Sequence, residues 1–109
     1  MKMFRDAIRG FIIVFKNEKN IKIHSFLAVV AIIAGIVLQL NMGLILLIIG
    51  SVLSTEMLNT SIESLCDLVH PDESDRVRNI KDIAAGAVLI NAVISLLVGA
   101  CLIFQPITL

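Results

Sequence analysis

The chain has 109 residues, of which 58% are hydrophobic and 17% charged, and its mean hydropathy is +0.97. A soluble domain of this length would not need so many apolar side chains to fill its core, so the composition argues against that class. The formal net charge is zero, and we expect no nucleic-acid partner.

Charge is strongly segregated along the chain. All nine Lys and Arg residues fall in two blocks, at 2–22 and 76–81, and residues 23–55 and 83–109 contain no Asp, Glu, Lys or Arg. Each uncharged run exceeds the roughly 20 apolar residues that cross a bilayer. We therefore predict an integral membrane protein. Cys66 and Cys101 lie in apolar helical context and are expected to be small buried side chains, not a disulfide.

Residues 1–16 are predicted to form an amphipathic helix lying in the membrane interface. Its apolar side chains recur at helical spacing, and its basic side chains fall on another face: Phe4, Ile8, Phe11, Ile12 and Phe15 against Arg5, Arg9 and Lys16. The alternative is an ordinary packed N-terminal helix. We favour the interface because a membrane span follows. A polar break at 16–24 separates this helix from the first predicted span, residues 24–40.

The second span begins after an uncharged turn at 41–43 and is predicted to cover residues 43–68. Its apolar part ends at Thr55, about 20 Å from its start at 1.5 Å per residue, whereas a bilayer core is about 30 Å thick. The helix must therefore continue, which places Glu56 within the hydrocarbon layer and Glu63 near its edge. Pro71 is expected to end it.

A charged connection at 69–80 leads to the third predicted span, residues 81–104, which Pro106 is expected to close. Positive residues flank the first span and occupy this connection, and they are absent from the 41–43 turn and the C-terminus. The positive-inside rule then places the N-terminus and the 69–80 loop in the cytoplasm and the C-terminus outside. We therefore predict an all-α membrane protein with three spans and one interfacial helix.

Five polar side chains follow the apolar part of the second span on one helical stripe, since each residue turns by about 100°: Glu56, Asn59, Thr60, Glu63 and Asp67. A carboxylate at mid-bilayer costs about 2.5–3.5 kcal/mol or more, so such residues are candidate functional groups. The alternative for Glu63 and Asp67 is that they are ordinary helix-end residues at the interface. Nothing structural requires Glu56 and Asn59 at their depth.

Other polar residues are expected at the same cytoplasmic side. Glu18 and Glu63 offer carboxylates to a hard divalent cation, and Lys81 offers a positive charge to a phosphate. Asn59 and Asp82 would orient these groups, and Glu56, about 10 Å deeper, would accept a hydroxyl proton. This arrangement suits phosphoryl transfer from a water-soluble donor to a membrane alcohol.

Two segments carry a specific resemblance. The sequence EMLNTSIESLCDL at 56–68, followed by KDIAAGAVLINA at 81–92, resembles the prokaryotic diacylglycerol kinase and undecaprenol kinase family. NEKNIKIH at 17–24 is similar to the polar stretch that precedes the first span in that family. The resemblance implies a homotrimer of three-span subunits in the bacterial cytoplasmic membrane that transfers the γ-phosphate of MgATP to a lipid hydroxyl.

Carried over to this sequence, the resemblance implies roles for seven residues. Glu56 would be the catalytic base, and Glu18 and Glu63 would hold Mg²⁺. The nucleotide would be contacted by these two carboxylates and by four further residues: Asn59, Asp67, Lys81 and Asp82.

The acceptor and two other function classes stay open at this point. His24 stands where the diacylglycerol-preferring branch carries a carboxylate, so the sequence is more similar to the undecaprenol kinase branch. Diacylglycerol, giving phosphatidic acid, is the alternative acceptor. A small proton-coupled transporter would also use an intramembrane Glu. However, the polar groups are gathered on one side of the membrane. A non-catalytic membrane subunit would not need Glu18, Lys81 and Asp82 near one site.

Overall fold

The computed structural model describes residues 2–72 and 74–104, and this part of the chain consists of four helices and their connections. Three of these helices are long and apolar enough to cross a membrane, as predicted. Some sequence expectations fall on Met1, on Glu73, on Pro106 as the end of the third span and on the C-terminus. They lie outside the described residues.

Helix α1 runs from Lys2 to Asn17 and contains no buried residue. Its apolar face, which includes Phe4 and Phe11, is exposed, as a helix lying in a membrane interface would require. The helix ends at one extended residue, Glu18, whose backbone N–H still bonds to the Val14 carbonyl at 2.8 Å. The predicted polar break at 16–24 is thus reduced to a single residue.

Helix α2 runs from Lys19 to Val37, so helical structure begins five residues earlier than the predicted span at 24. It ends in a Schellman-type turn, because the Leu40 N–H bonds to the Gly35 carbonyl at 2.9 Å. The residue in the left-handed conformation is Gln39, with φ of 55°. Glycine usually occupies this position, since a side chain is disfavoured there.

Helix α3 runs from Met42 to Val69 without interruption. Asn41 caps its first turn, since its side chain accepts a hydrogen bond from the Leu44 N–H at 3.1 Å. The helix continues well past Thr55, as the length argument required, and it ends two residues before Pro71. All five residues of the predicted polar stripe therefore lie on one continuous helix.

Helix α4 runs from Asp75 to Phe104, six residues longer at its start than the predicted span at 81. The reason is a local cap: the Ser74 hydroxyl accepts a hydrogen bond from the Val77 N–H at 3.2 Å. Asp75 then places negative charge in the first turn, where the helix dipole favours it. The charged connection between α3 and α4 is accordingly short.

The other three helices are arranged around α3. Helices α2 and α4 pack against its two sides, α1 packs against α2 and α3, and α2 and α4 do not pack on each other within the described residues. At Gly35 helix α2 lies close to α3, since an added Cβ would lie 2.6 Å from Ile45 Cδ1 and 2.7 Å from Met42 Sδ. A glycine is therefore needed there for α2 to lie close to α3.

Candidate active site

Glu56 is the buried charged residue of the described chain, with 6% of its surface exposed. It faces α2, where His24 Nδ1 lies 3.8 Å from its Oε1. This separation is too long for a hydrogen bond. The carboxylate accepts no hydrogen bond from the described residues, and His24 Nδ1 is itself buried without a partner. The predicted base is thus enclosed between two helices beside an imidazole.

Asn59 and Glu63 follow Glu56 along α3, toward its C-terminal end. The Asn59 amide donates a hydrogen bond from Nδ2 to Glu63 Oε1 at 2.8 Å, across one helical turn. Asn59 Oδ1 is buried and has no hydrogen-bond partner among the described residues. Asn59 therefore orients the Glu63 carboxylate, which is exposed.

The third group lies where α3 ends and α4 begins, and we call Asp67, Lys81 and Asp82 the rim cluster. Lys81 Nζ donates to Asp67 Oδ1 at 2.6 Å, and 35% of the Lys81 side chain and 67% of the Asp67 side chain are exposed. All three residues line a small cleft of about 110 Å³, which is also lined by His70, Pro71, Asp72 and Ser74. Charged groups in an open cleft suit a water-soluble ligand better than a membrane-embedded one.

The position of Glu18 follows from the register of the antiparallel helices α2 and α3. The pairs His24–Glu56 and Gly35–Ile45 are eleven residues apart on both helices, so the register is constant. Glu18 lies six residues before His24, which places it level with position 62, next to Glu63. Continued beyond the start of α2, this register would bring the two predicted metal ligands to similar heights, although Glu18 itself is extended and lies in the break before α2.

Glu18 and Glu63 carry carboxylates, which are oxygen ligands of the kind that divalent cations bind. No group of three or more His, Cys, Asp or Glu side chains gathers as a metal site anywhere in residues 2–72 and 74–104. Mg²⁺ does not require such a group, because it usually takes one or two carboxylates together with substrate phosphates and water. Glu63, oriented by Asn59 and level with Glu18, fits that mode of binding.

A second polar cluster, which sequence reasoning missed, joins α3 to α4. Asn91 Nδ2 donates to the Ser51 carbonyl at 3.0 Å and to Thr55 Oγ1 at 3.2 Å. Asn91 Oδ1 accepts from Ser51 Oγ at 3.3 Å and from Ser95 Oγ at 3.2 Å. An Asn in the middle of an uncharged run was a visible signal, since such side chains commonly bond between membrane helices.

An apolar groove opens beside the Glu56–His24 pair. It is lined by residues between 24 and 31 on α2, between 48 and 53 on α3 and between 92 and 96 on α4, and its volume is about 330 Å³. It exists because α2 and α4 flank α3 without meeting. The groove begins at His24 and extends away from the rim cluster.

The structure therefore arranges six of the seven predicted residues in three groups that follow one another toward the C-terminal end of α3. Glu56 is buried against α2, Asn59 and Glu63 form a pair one to two turns further on, and the rim cluster forms the end. Within the described residues, Glu56 and Lys81 form no ion pair with each other, and Glu18 and Glu63 share no hydrogen bond. The roles assigned to the seven residues stay predictions.

Comparison with known proteins gives consistent matches over nearly the whole chain. The sequence profile described as prokaryotic diacylglycerol kinase matches residues 5–103. An undecaprenol kinase from Bacillus subtilis is 38% identical over 108 residues, which cover 96% of this chain and 87% of that protein. A diacylglycerol kinase from Synechocystis sp. is 36% identical over 107 residues, covering 94% of this chain and 61% of that longer protein.

Proposed function

The chain belongs to the prokaryotic diacylglycerol kinase family, and on that premise we propose that it phosphorylates undecaprenol with MgATP. It is a membrane lipid kinase, and the acceptor and the site chemistry are the proposed parts. The observation that carries the proposal is Glu56, a carboxylate that is 6% exposed on a helix long enough to span the membrane. A stripe of polar residues connects it to the rim cluster.

In the proposed reaction Glu56 accepts the proton of the lipid hydroxyl as its oxygen attacks the γ-phosphorus. The bond between the γ-phosphorus and the β–γ bridging oxygen breaks, and ADP leaves with that electron pair. A base that is removed from water and positioned at the hydroxyl contributes typically 10²–10⁴-fold to such a transfer. The depth of Glu56 suits an acceptor whose reacting end lies within the membrane.

The nucleotide is proposed to bind between Glu63 and the rim cluster. Lys81 can exchange its Asp67 partner for a phosphate oxygen, since both side chains are accessible. Asp82 lines the same cleft and Asn59 fixes Glu63. Mg²⁺, held by Glu18 and Glu63 together with phosphate oxygens, would neutralise charge on the transferring group.

Undecaprenol is favoured over diacylglycerol as acceptor for two reasons. The relative that this chain covers almost completely is named an undecaprenol kinase, whereas the one named a diacylglycerol kinase is considerably longer. In addition, a histidine stands beside Glu56, where the resemblance associates a carboxylate with the diacylglycerol branch.

We further propose a homotrimer in the bacterial cytoplasmic membrane with the rim cluster facing the cytoplasm. The distribution of Lys and Arg supports this orientation, since Lys19 and Lys22 lie at the start of α2 and the second basic block lies at the start of α4, beside the rim cluster. Most large apolar side chains of one chain are exposed, so they are available for lipid and for neighbouring subunits. Mass measurement of the protein released from bilayers would count the subunits.

A side-by-side acceptor assay tests the function. The purified protein in lipid bilayers would receive MgATP with undecaprenol or diacylglycerol at equal mole fraction, and the phosphorylated lipid would be measured. We expect kcat/KM to be at least about tenfold higher for undecaprenol, as a pocket difference of about 1.4 kcal/mol would give. A preference for diacylglycerol would overturn the acceptor assignment, and transfer to neither alcohol would overturn the proposed function.

A further inference from the structure

His70 lies where α3 ends, and it lines the same cleft as the rim cluster. Its backbone N–H donates to the Cys66 carbonyl at 2.9 Å, and its ring Nδ1 lies 2.7 Å from the Asp72 carbonyl oxygen. A carbonyl oxygen carries no proton, so Nδ1 is the donor in the second bond. The backbone and the ring of His70 are therefore both held by hydrogen bonds, although the residue is exposed.

The bond to Asp72 determines which ring nitrogen changes its protonation. Because Nδ1 keeps its proton, Nε2 has a free lone pair in the neutral ring and carries a second proton in the cationic ring. An imidazole makes this change between about pH 5 and 8. The Nδ1 bond is present in both states, so protonation adds a positive charge without requiring the connection between α3 and α4 to move.

The cleft around His70 contains charges of both signs. Within the described part of the chain, its charged side chains come from α3, from the connection and from α4: Asp67, Asp72, Arg78, Lys81 and Asp82. Three carboxylates thus face two cations while His70 is neutral, and the charges balance when His70 is protonated. A negatively charged ligand meets an excess of negative charge in the first state and none in the second.

The size of the cleft limits the ligand that it can hold. Its volume of about 110 Å³ is below the roughly 300–1,000 Å³ of pockets that enclose a whole drug-sized molecule. Only part of a nucleotide fits, and the charged lining favours the phosphates. Lys81 belongs to α4 and His70 to the end of α3, so the two side chains would approach a bound phosphate from different elements.

We propose that His70 is a further nucleotide-binding residue and that its protonation strengthens the binding of MgATP. The protonated ring donates from Nε2 to a phosphate oxygen, whereas the neutral ring presents a lone pair to the same oxygen. This inference rests on the proposed kinase function and adds a regulation of its nucleotide site. The protein then phosphorylates its lipid at lower ATP concentrations when the solution at the cleft becomes acidic.

The test is equilibrium binding of MgATP to the protein in bilayers, measured from about pH 5.5 to about pH 8.5, the range in which an imidazole titrates. Omitting the lipid acceptor keeps proton transfer to Glu56 out of the measurement. Relative to His70→Gln, we expect the wild-type dissociation constant to fall by about fivefold toward acid pH, as one solvent-accessible charge contact would give. Protonation of the ATP phosphates is common to both proteins and cancels in this ratio. High salt should reduce the difference, because exposed charges are screened.

Three variants separate the charge of His70 from its structural role. His70→Gln keeps an N–H donor for the Asp72 carbonyl without ever becoming charged, so it should match the wild type at alkaline pH. His70→Arg is always charged and should bind MgATP about fivefold more tightly than His70→Gln at every pH. Arg76→Gln is the matched control, since Arg76 is exposed at the start of α4 but lies outside the described lining of the cleft. It should change the dissociation constant by less than about twofold and preserve the pH dependence.

The proposal is overturned if His70→Gln shows the same pH dependence as the wild type, because another group would then cause it. It is equally overturned if His70→Gln binds MgATP more weakly than the wild type at alkaline pH, since His70 would then act by holding Asp72. A His70→Arg variant that binds no more tightly than His70→Gln has the same meaning. All three results leave the kinase function standing, whereas a wild-type protein that binds no MgATP or phosphorylates no lipid alcohol contradicts the proposed function.

Discussion

Thr55 and Glu56 are neighbours on α3 at almost the same depth, yet they face two different kinds of helix contact. Thr55 faces α4 and joins the cluster around Asn91, in which each polar group of the Asn91 side chain has hydrogen-bond partners. Glu56 faces α2, where the carboxylate and His24 Nδ1 lie 3.8 Å apart without a hydrogen bond. On the α4 side of α3 the polar side chains are hydrogen-bonded to one another, whereas on the α2 side the two polar side chains share no hydrogen bond.

Under the proposed function, the difference separates polar groups that hold helices together from polar groups that bind a substrate. A fully satisfied network stabilises one arrangement of the helices and has no capacity left for a substrate. An unsatisfied pair is costly in the free protein, and it is relieved when a substrate supplies the missing group. The α3–α4 contact is therefore expected to govern stability, and the α2–α3 contact to govern turnover.

The largest effect on turnover is expected from a substitution on the α2 side of α3, at Glu56. Glu56→Gln keeps the size of the side chain and removes the base, so kcat should fall by about 10²–10⁴-fold. Resistance to unfolding should be unchanged or increased, because a neutral amide is cheaper to bury than a carboxylate. Phosphorylated lipid is measured for turnover, and equilibrium binding of MgATP is measured as the control. Turnover near the wild-type level would contradict the assignment of Glu56 as base.

Substitutions in the rim cluster, whose side chains are accessible to solvent, should raise the KM for MgATP and leave the KM for the lipid acceptor unchanged. Lys81→Met removes a charge-assisted contact to phosphate, so the KM for MgATP should rise by roughly tenfold or more. Lys22→Met serves as the matched control, since Lys22 is also exposed near the rim-cluster ends of the helices but lies outside the cleft. If the KM for the lipid rose more than the KM for MgATP, Lys81 would contact the lipid and the assignment of Lys81 to the nucleotide would be wrong.

A smaller effect is expected on the α4 side of α3, where a substitution should lower stability and leave turnover unchanged. Asn91→Leu removes the hydrogen bonds between α3 and α4 and should lower the free energy of unfolding by about 1–2 kcal/mol. Turnover at low temperature should remain close to wild type. Unfolding in mixed micelles provides the measurement, with Ile90→Leu, at an exposed neighbouring position, as the control. Loss of turnover with unchanged stability would mean that Asn91 acts on the reaction directly.

The smallest effect is expected at the turn between α2 and α3. Gln39 has a φ of 55°, so Gln39→Gly removes a side chain from a left-handed position. We expect a gain in stability of up to about 1 kcal/mol and no change in the KM for the acceptor, since the backbone keeps its conformation. Asn41→Ala, which removes the helix cap, should shift stability by a similar amount in the opposite direction. A loss of stability in Gln39→Gly would show that the Gln39 side chain contributes contacts of its own.

Run lengths and charge positions were enough to predict the helices. The absence of charge in residues 23–55 and 83–109 predicts the spans, and the shortness of the apolar part of α3 predicts that Glu56 is within the membrane. The start of α4 was placed too late, because the charged residues at 75–80 concealed a serine cap at Ser74. Charge alone does not distinguish a loop from an exposed helical turn.

Pairings between helices could not be derived from the sequence. Periodicity on one helix shows that Glu56, Asn59 and Glu63 share a stripe, but it does not show which neighbouring helix the stripe faces. His24 and Glu56 are 32 positions apart, and their contact depends on the register and rotation of α2. Asn91 was overlooked for a simpler reason: a criterion that counts charged residues passes over an amide.

The turn at 38–41 restricts the number of residues that can connect α2 to α3. Because it fixes how α2 is aligned with α3, one residue inserted there would displace His24 by about 1.5 Å along the helix and rotate it by about 100° about the helix axis. Glu56 would then no longer face His24. We therefore expect that changes of residue type in this turn are tolerated, whereas changes in the number of its residues abolish lipid phosphorylation.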